Sequence, residues 1–387
     1  MNRLALYRVG IERNPTGWNT GGIVGRHSER VNVKLKQSLD DIVSNFHKGI
    51  PNYALCGTEI TGAGYQYTPD GVRALLRDIG AYISAGTGRN EWNVGHASYL
   101  QMRVENMWMA EVFAEFGIPF FIGSTLSHTW YNQGGRHIGW LGKPGWPGLL
   151  DMYPQGLADP LFPKMYDGSP AGIDIHCYTE AGQDSDQPAS WVGDMVEWWT
   201  RGTPDYEGEW AACPFRDTVF IVGECGGKVG GNPPVREVIE SVLCTPANDR
   251  VVACFYFCLS DVGLPQSQWY GLYDSSGGEK RAALGDFNYC IAQPYNTEGW
   301  ASGPLPPTPL PTPTPVPTPT PTPPAGDGGY QQGFLEYYLE HPKIGPATGR
   351  LDYWRNGSGD EIARQDTTTG QLEWTKATGR IIHRTED

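Results

Sequence analysis

The stretch DTVFIVGECGGKVGG, residues 217–231, is the clearest indicator of the fold. Its apolar run, Val219 to Val222, is typical of a strand buried on both faces, and it ends in Gly-Glu-Cys-Gly-Gly. A helical pattern over 234–244 and a second apolar run over 250–260 follow it. Continuously apolar strands that alternate with helices indicate a parallel sheet covered on both faces.

The same alternation extends through the first 292 residues, which is enough chain to close a parallel sheet into a β/α barrel. We count six strand patterns instead of eight, and the first begins at residue 4. We therefore expect an α/β fold, a TIM (β/α)8-type barrel that lacks its first two strands. The predicted strands are 4–10, 52–59, 119–125, 170–179, 218–225 and 250–260, and the predicted helices are 39–50, 68–83, 98–117, 190–201, 234–244 and 280–292.

A Pro-Thr tract divides the chain. Residues 303–329 contain almost only proline, threonine and small residues, a composition typical of an extended, semi-rigid spacer. The predicted domains are a barrel over 1–302, the linker over 303–329 and a small accessory module over 330–387. The module contains two aromatic-glycine cycles, around YWRNG and GQLEW.

The composition of the chain excludes some classes of function. The net charge of −14 argues against nucleic acid as a partner, because phosphate binding needs clustered Lys and Arg. The 14 Trp and 20 Tyr suit either a packed core or surfaces on which sugar rings stack. No run of 18 apolar residues predicts a membrane span, and no stretch near the N-terminus is apolar enough for a signal peptide.

The eight cysteines form no CxxC pair and no zinc-like spacing with histidine, so we expect most of them to be small buried side chains. The sequence also contains no phosphate-cradling glycine loop and no Ser-His-Asp signature. We therefore expect neither a metal nor a cofactor.

Several predicted strands end in polar or acidic residues, which in a β/α barrel would meet at the face that carries the active site. YALCGTE ends at Glu59, IDIHCY ends with His176 and Tyr178, and VFIVGE ends at Glu224. Two glutamates that face each other across a sugar can cleave a glycosidic bond, one as acid and the other as nucleophile or base.

With these motifs in this order, residues 4–292 resemble the large clan of retaining, cellulase-like glycoside hydrolases with (β/α)8 barrels. GECGG is similar to the clan's strand-seven motif, which implies that Glu224 is the nucleophile. CGTE is similar to its strand-four motif, which implies that Glu59 is the acid/base. DIHCY looks like strand six, where His176 and Tyr178 would contact substrate or nucleophile, and 257–284 looks like strand eight and its loop. In this register, 4–10 would be strand three.

The acid/base motif departs from the clan pattern at two positions. The clan has Asn before this Glu, whereas this chain has Thr58, and Ile60 stands where the clan has Pro. Glu91, in GRNEWN, keeps the preceding Asn and is the alternative acid/base. We prefer Glu59 because NYALCG has a good strand pattern and ISAGTG, before Glu91, has a poor one.

Substrate contacts are predicted for Thr58, His176 and Tyr178, and for two tryptophans on loops after strands, Trp130 and Trp269. The glycines around Glu224 would leave room for a sugar ring to approach the carboxylate and let the backbone turn sharply.

Together these features predict a glycosidase that cleaves β-glycosidic bonds of a poly- or oligosaccharide by a retaining mechanism. The Pro-Thr linker and the small module, whose pattern resembles repeats associated with envelope attachment, predict an extracellular or envelope-associated protein with a truncated N-terminus. The alternatives are a non-catalytic carbohydrate- or envelope-binding protein on a degenerate barrel, which Thr58 and the missing strands favour, and a phage-type wall lysin.

Overall fold

The structure is a computed structural model, and the chain divides into two compact units, Met1–Thr308 and Pro309–Asp387. The described residues are 4–12, 32–35, 39–56, 64–91, 99–130, 135–137, 140, 148–178, 188–204, 210–227, 232–264, 266, 269–300, 352–355, 361–367, 370–375 and 380–384.

The first unit is a closed barrel of eight parallel strands within these described ranges. Each strand pairs with its neighbour along the chain, and the first pairs with the eighth, so the sheet has no open edge. The strands are β1 (Val9–Glu12), β2 (Asn32–Leu35), β3 (Asn52–Leu55), β4 (Ala85–Thr87), β5 (Phe120–Trp130), β6 (Gly172–Tyr178), β7 (Phe220–Gly226) and β8 (Val251–Tyr256).

The predicted TIM-type barrel is confirmed, but the prediction that its first two strands are missing is wrong. The run over 4–10 leads into β1, and sequence analysis overlooked two later strands, β2 and β4. β2 has only four residues and includes a lysine, and β4 has three small residues, Ala85–Thr87, so neither has an extended apolar run. The corrected register makes 85–87 strand four.

Helices cover the outside of the barrel, and all six predicted helices are present. In α2 the predicted Thr-Pro-Asp start is confirmed, because the Thr68 side chain accepts a hydrogen bond from Gly71 N (3.1 Å) and Pro69 occupies the first turn. The helices are α1 (Leu39–His47), α2 (Pro69–Ile79), α3 (Tyr99–Glu115), α4 (Leu149–Met152), α5 (Trp191–Thr200), α6 (Val235–Leu243) and α7 (Arg281–Ala292).

Side chains alternate between two cores along the strands. In β6, Ile173, Ile175 and Cys177 pack in the large cluster that includes the buried side chains of the helices. A smaller cluster fills the barrel itself, where the Tyr53 and Phe255 rings stack with centroids 5.2 Å apart. This apolar layer leaves the C-terminal ends of the strands to the polar residues described below.

The prediction that most of the cysteines are small buried side chains is confirmed. All eight are free thiols, and seven are buried, whereas Cys244 is exposed. Cys225 and Cys254 lie on neighbouring strands with their sulfur atoms 3.4 Å apart.

Short antiparallel pairs and a second unit complete the described chain. Leu6–Tyr7 pairs with Glu298–Trp300, and Gly202–Pro204 pairs with Trp210–Ala212. The second unit contains a four-stranded antiparallel sheet in simple up-and-down order. Its strands are β9 (Asp352–Arg355), β10 (Glu361–Thr367), β11 (Gly370–Thr375) and β12 (Arg380–Arg384). Among the described residues, no helix has the length and apolar character needed to cross a membrane.

Candidate active site

Glu224 faces the barrel interior because β7 contains a bulge. Val222 pairs with Ile175 of β6, but the next pair is Glu224 with His176, so Gly223 is an extra residue in β7. If Gly223 continued the regular alternation, residue 224 would lie on the same side of the strand as Val222, toward the outer helices. Bulges commonly re-aim a side chain next to an active site, and this one turns the Glu224 carboxylate inward.

Gly223 is required for a reason that the sequence did not reveal. A Cβ at this position would overlap the carboxylate of Asp174, which is fully buried on β6. A Cβ at Gly226 would lie 2.8 Å from the Tyr270 ring and 3.2 Å from the Tyr178 ring. These two glycines therefore make room for side chains of the protein itself. Their presence is explained without the predicted approach of a sugar ring.

Replacement of Gly223 by alanine is expected to destabilise the fold by about 1–3 kcal/mol, because the new methyl group enters a filled, charged interior. Gly285→Ala is the matched control, since a Cβ at this position in α7 meets no atom within 4 Å. The control should raise the free energy of unfolding by up to about 1 kcal/mol. Urea denaturation of both variants measures the difference, and equal stabilities would contradict this account of Gly223.

Within the described part of the chain, the Glu224 carboxylate contacts Lys34, Tyr178 and His176, and its side chain is 5% exposed. Lys34 Nζ donates to Oε1 (3.1 Å), and the Tyr178 hydroxyl donates to Oε2 (2.6 Å). His176 Nδ1 lies 3.4 Å from Oε2. Donors on both oxygens favour the ionised carboxylate at the floor of the site.

Glu91 is the described carboxylate that lies across from Glu224. Its Oε1 is 3.0 Å from His176 Nδ1, so the imidazole lies between the two glutamates. One oxygen of Glu91 and one of Glu224 lie within 4.8 Å of each other. The Glu91 side chain is 28% exposed, so it forms the more open side of the pair.

Contacts of Arg89 fix the position of the backbone before Glu91. Arg89 makes a two-pronged ion pair with Glu105 of α3, at 3.1 Å from Nε and 2.9 Å from a terminal nitrogen. A Cβ at Gly123 of β5 would lie 2.6 Å from the Arg89 carbonyl oxygen, so the glycine lets the two chains approach closely. Glu91 has φ 41°, and it is the non-glycine residue with positive φ in the described part of the chain. Strained backbone of this kind clusters at functional sites.

Two charged residues of the site, Glu12 and Lys34, were not predicted from the sequence. Both are fully buried, and Lys34 Nζ lies 3.4 Å from Glu12 Oε2. Glu12 is the last residue of β1, two residues beyond the end of the predicted strand. Each of these residues interrupts a short apolar segment, Glu12 in VGIE and Lys34 in NVKL. Because buried charges occur mainly in pairs, two such segments of opposite charge could have indicated a buried ion pair.

His176 and Tyr178 both lie in the site, as the sequence predicted. They share one face of β6 with Asp174, which accepts a hydrogen bond from the Tyr53 hydroxyl (2.8 Å). Burial, and next the carboxylates of Glu224, Glu12 and Glu91, raise the pKa of Tyr178 well above its ordinary value. Tyr178 therefore remains a hydrogen-bond donor throughout the neutral pH range.

The aromatic rings beside the site belong to Phe257 and Tyr270, and not to the tryptophans that were predicted. Phe257, which is half-buried, follows β8, and its ring lies 5.9 Å from that of Tyr178 and 6.2 Å from that of Tyr270. Trp269 donates from its indole nitrogen to the Leu264 carbonyl (3.1 Å) and thus supports its own loop. The backbone of Trp130 ends β5, but its side chain lies outside the described part of the chain.

Glu59 and Thr58 also lie outside the described residues, so the preferred acid/base and its neighbour stay predictions from the sequence. The position of Glu91 is described, and it follows β4 by four residues, beyond Thr87. The stretch ISAGTG, which looked like a poor strand, contains that β4.

His176 Nδ1 and the two glutamate oxygens are close enough together to hold one cation. However, the Lys34 ammonium lies 3.1 Å from both His176 Nε2 and Glu224 Oε1, and it already supplies positive charge there. We therefore assign no metal to the site.

No family profile matches the sequence, and no curated protein matches it significantly. Among solved structures, a GH5_18 protein of Bifidobacterium longum is 14% identical, with a TM-score of 0.47 over 75% of this chain and 80% of that one. A GH128 (subgroup II) endo-beta-1,3-glucanase of Sorangium cellulosum is 15% identical, with a TM-score of 0.46 over 74% of this chain and 98% of that one. A GH128 (subgroup IV) endo-beta-1,3-glucanase of Lentinula edodes is 13% identical, with a TM-score of 0.45 over 73% of this chain and 99% of that one. These likenesses are distant, and the description of this chain as a barrel rests on its own strand pairing.

Proposed function

We propose that this protein is a retaining glycosidase that cleaves β-glycosidic bonds in a polysaccharide or oligosaccharide. Glu224 is the nucleophile and Glu91 is the acid/base. The observation that carries this proposal is the distance between them, because an oxygen of each carboxylate lies within 4.8 Å of the other.

This separation favours retention over inversion. Retaining enzymes hold their two carboxyl groups about 5–5.5 Å apart, so that one can attack the sugar directly. Inverting enzymes need about 6.5–9.5 Å to admit a water molecule between carboxylate and sugar. His176 Nδ1 lies 3.0 Å from Glu91 and 3.4 Å from Glu224, and these two contacts keep the described pair close together.

The environments of the two carboxylates support the division of roles. Glu224 is buried and accepts hydrogen bonds from the Lys34 ammonium and the Tyr178 hydroxyl, which favour the anionic form that a nucleophile needs. Glu91 is more exposed, on the side from which a leaving group departs and water enters.

In the first step an oxygen of Glu224 attacks the anomeric carbon, and the bond to the leaving oxygen breaks. Glu91 transfers its proton to that oxygen, which leaves as an alcohol. In the second step a water molecule attacks the anomeric carbon and gives its proton to Glu91. The ester bond to Glu224 then breaks and the carboxylate returns, so two inversions restore the β configuration.

Glu91 replaces Glu59 as the proposed acid/base because of its place in the barrel. The corrected strand order puts Glu91 after strand four and Glu59 after strand three, and Asn90 precedes Glu91. The resemblance drawn from the sequence has its acid/base after strand four, preceded by Asn. The argument for a degenerate barrel is weaker as well, because all eight strands are present in the described chain.

We propose that the sugar packs on the half-buried Phe257 ring, next to Tyr178, since flat aromatic rings stack on the apolar faces of pyranoses. We further propose that residues 330–387 attach the protein to an envelope or polysaccharide outside the cell. The four-stranded sheet of β9–β12 is compatible with a separate binding module. Co-sedimentation of the full chain with insoluble glycans, which removal of 330–387 should abolish, tests this role.

The stereochemistry of hydrolysis tests the proposed function. Proton NMR of the wild-type reaction, recorded before mutarotation, should show the β-anomer as the first product from a β-linked oligosaccharide. An α-anomer as first product would overturn the retaining mechanism. Failure to cleave any member of a broad panel of aryl β-glycosides and β-linked polysaccharides would overturn the enzymatic function itself.

A further inference from the structure

Lys34 connects both proposed catalytic carboxylates. An ammonium has three N–H bonds, and three acceptors lie 3.1 Å from Nζ: Glu224 Oε1, the Gly223 carbonyl oxygen and His176 Nε2. The Lys34 side chain is fully buried, so its surroundings in the protein, and not water, determine its position.

The contact with His176 decides which ring nitrogen carries the proton. An ammonium can only donate, so the nitrogen that faces it, Nε2, must accept. A neutral imidazole has one N–H, which must then be on Nδ1, where Glu91 Oε1 lies at 3.0 Å. Lys34 thus orients Glu224 directly and Glu91 through the imidazole.

Asp174 makes the state of Nε2 dependent on Lys34. Asp174 Oδ1 lies 3.8 Å from His176 Nε2, so without the ammonium a carboxylate on that side favours a proton on Nε2. Nδ1 faces two closer carboxylates, Glu91 at 3.0 Å and Glu224 at 3.4 Å, and would keep its hydrogen. The change on loss of Lys34 is therefore expected at Nε2.

Glu12 supplies a negative charge that persists through the reaction. Lys34 has two carboxylate partners, Glu224 at 3.1 Å and Glu12 at 3.4 Å. When Glu224 becomes an ester in the glycosyl-enzyme, it loses its charge, and the buried ammonium would otherwise lose a strong electrostatic partner. Glu12 keeps its charge at that stage, so Lys34 remains an ammonium while Glu91 acts as base.

We propose that Lys34 is a positioning residue that holds His176 in the Nδ1–H tautomer, and that Glu12 is the counter-ion that keeps Lys34 charged when Glu224 is neutral. The proposal deepens the proposed function, since it rests on the roles of Glu91 and Glu224. Other ionisable groups near these atoms are Asp174 and Tyr178 on β6 and Cys258 after β8.

Nitrogen NMR of the full chain with ¹⁵N-labelled histidine tests the tautomer without any need for turnover. The chain has 8 histidines, and the spectrum of His176→Gln identifies the resonances of His176. The wild type should show a protonated Nδ1 and an unprotonated Nε2. In Lys34→Met, Nε2 should become protonated, whereas in Lys34→Arg, where the replacement also only donates, Nε2 should stay unprotonated. A wild type protonated on Nε2, or an unprotonated Nε2 in Lys34→Met, overturns the proposal.

Two further variants keep the test decisive if Lys34→Met does not fold. Glu12→Gln/Lys34→Met removes one buried charge of each sign and should also leave Nε2 protonated. Lys280→Met is the matched control, because it breaks another buried lysine–carboxylate pair, with Asp261 (2.5 Å), and should leave the His176 tautomer unchanged.

The role of Glu12 is tested by neutral mimics of the glycosyl-enzyme. Glu224→Gln should keep Nε2 unprotonated, because Glu12 still balances Lys34, whereas Glu12→Gln/Glu224→Gln should show a protonated Nε2. An unprotonated Nε2 in the double variant overturns the counter-ion role. In turnover, Lys34→Met should lower kcat on the order of 10²-fold, the usual effect of misplacing reacting groups, and KM less. If the tautomers behave as proposed but the wild type cleaves no glycoside, the proposed function fails and the assignment of Lys34 stands.

Discussion

Replacement of Glu224 by alanine is expected to lower kcat/KM for a β-linked substrate by a factor on the order of 10⁵, because the covalent route then has no nucleophile. The void beside Lys34 and Tyr178 leaves two hydrogen-bond donors directed at the space that the carboxylate occupied. A small anion such as azide should therefore bind there and restore part of the activity. A single displacement by azide inverts the anomeric carbon, so the product should be the α-glycosyl azide.

Glu240→Gln is the control for this substitution. Glu240 pairs with Arg236 (3.0 Å) on the outside of the barrel, and its side chain is 29% exposed, so its replacement should leave the kinetics unchanged. Retention of more than about a tenth of the wild-type activity in Glu224→Ala would contradict the assignment, because loss of a nucleophile normally removes several orders of magnitude. A β-glycosyl azide would indicate that Glu224 is not the attacking group.

Replacement of Glu91 by alanine is expected to have an effect that depends on the leaving group. Substrates with poor leaving groups should lose on the order of 10²–10⁴ in kcat/KM, because they need protonation as they depart. Aryl glycosides with very acidic phenols should lose much less. The limb of the pH profile that reports the general acid should also disappear.

The effect of azide on the variants distinguishes the role of Glu91 from the roles of Glu224 and Glu59. It attacks the glycosyl-enzyme without needing a general base, so Glu91→Ala should be accelerated by azide and yield the β-glycosyl azide after two displacements. Glu59→Ala is the matched comparison, since Glu59 was the acid/base that the sequence favoured. If Glu59→Ala, and not Glu91→Ala, shows the dependence on leaving group and the rescue by azide, then Glu59 is the acid/base.

Much of the barrel could be predicted because its strands carry a strong local signal. The runs that became β6, β7 and β8 are apolar throughout, and α2 begins with a recognisable Thr-Pro cap. β4 had no such signal, since Ala85–Thr87 is short and is specified by its neighbours in the closed sheet. Missing it shifted the strand count and led to the wrong conclusion that the barrel is incomplete.

The candidate site was predictable where a polar residue follows an apolar strand, as for Glu224, His176 and Tyr178. Glu12 and Lys34 were missed because their partners are far away in the sequence, and an ion pair across the barrel leaves no local pattern. The preference for Glu59 over Glu91 followed from the same missing strand, because a residue's place in a barrel depends on counting every strand before it.

The extra residue in β7 also brings a main-chain group into the site. Deletion of Gly223 would put Glu224 directly after Val222, which packs in the helical layer, so regular alternation would still point the carboxylate into the barrel. The charged side chains of the site would all be retained, but the Gly223 carbonyl oxygen, 3.1 Å from Lys34 Nζ, would be lost. A one-residue deletion here would thus remove a main-chain acceptor, which no substitution of a side chain can do.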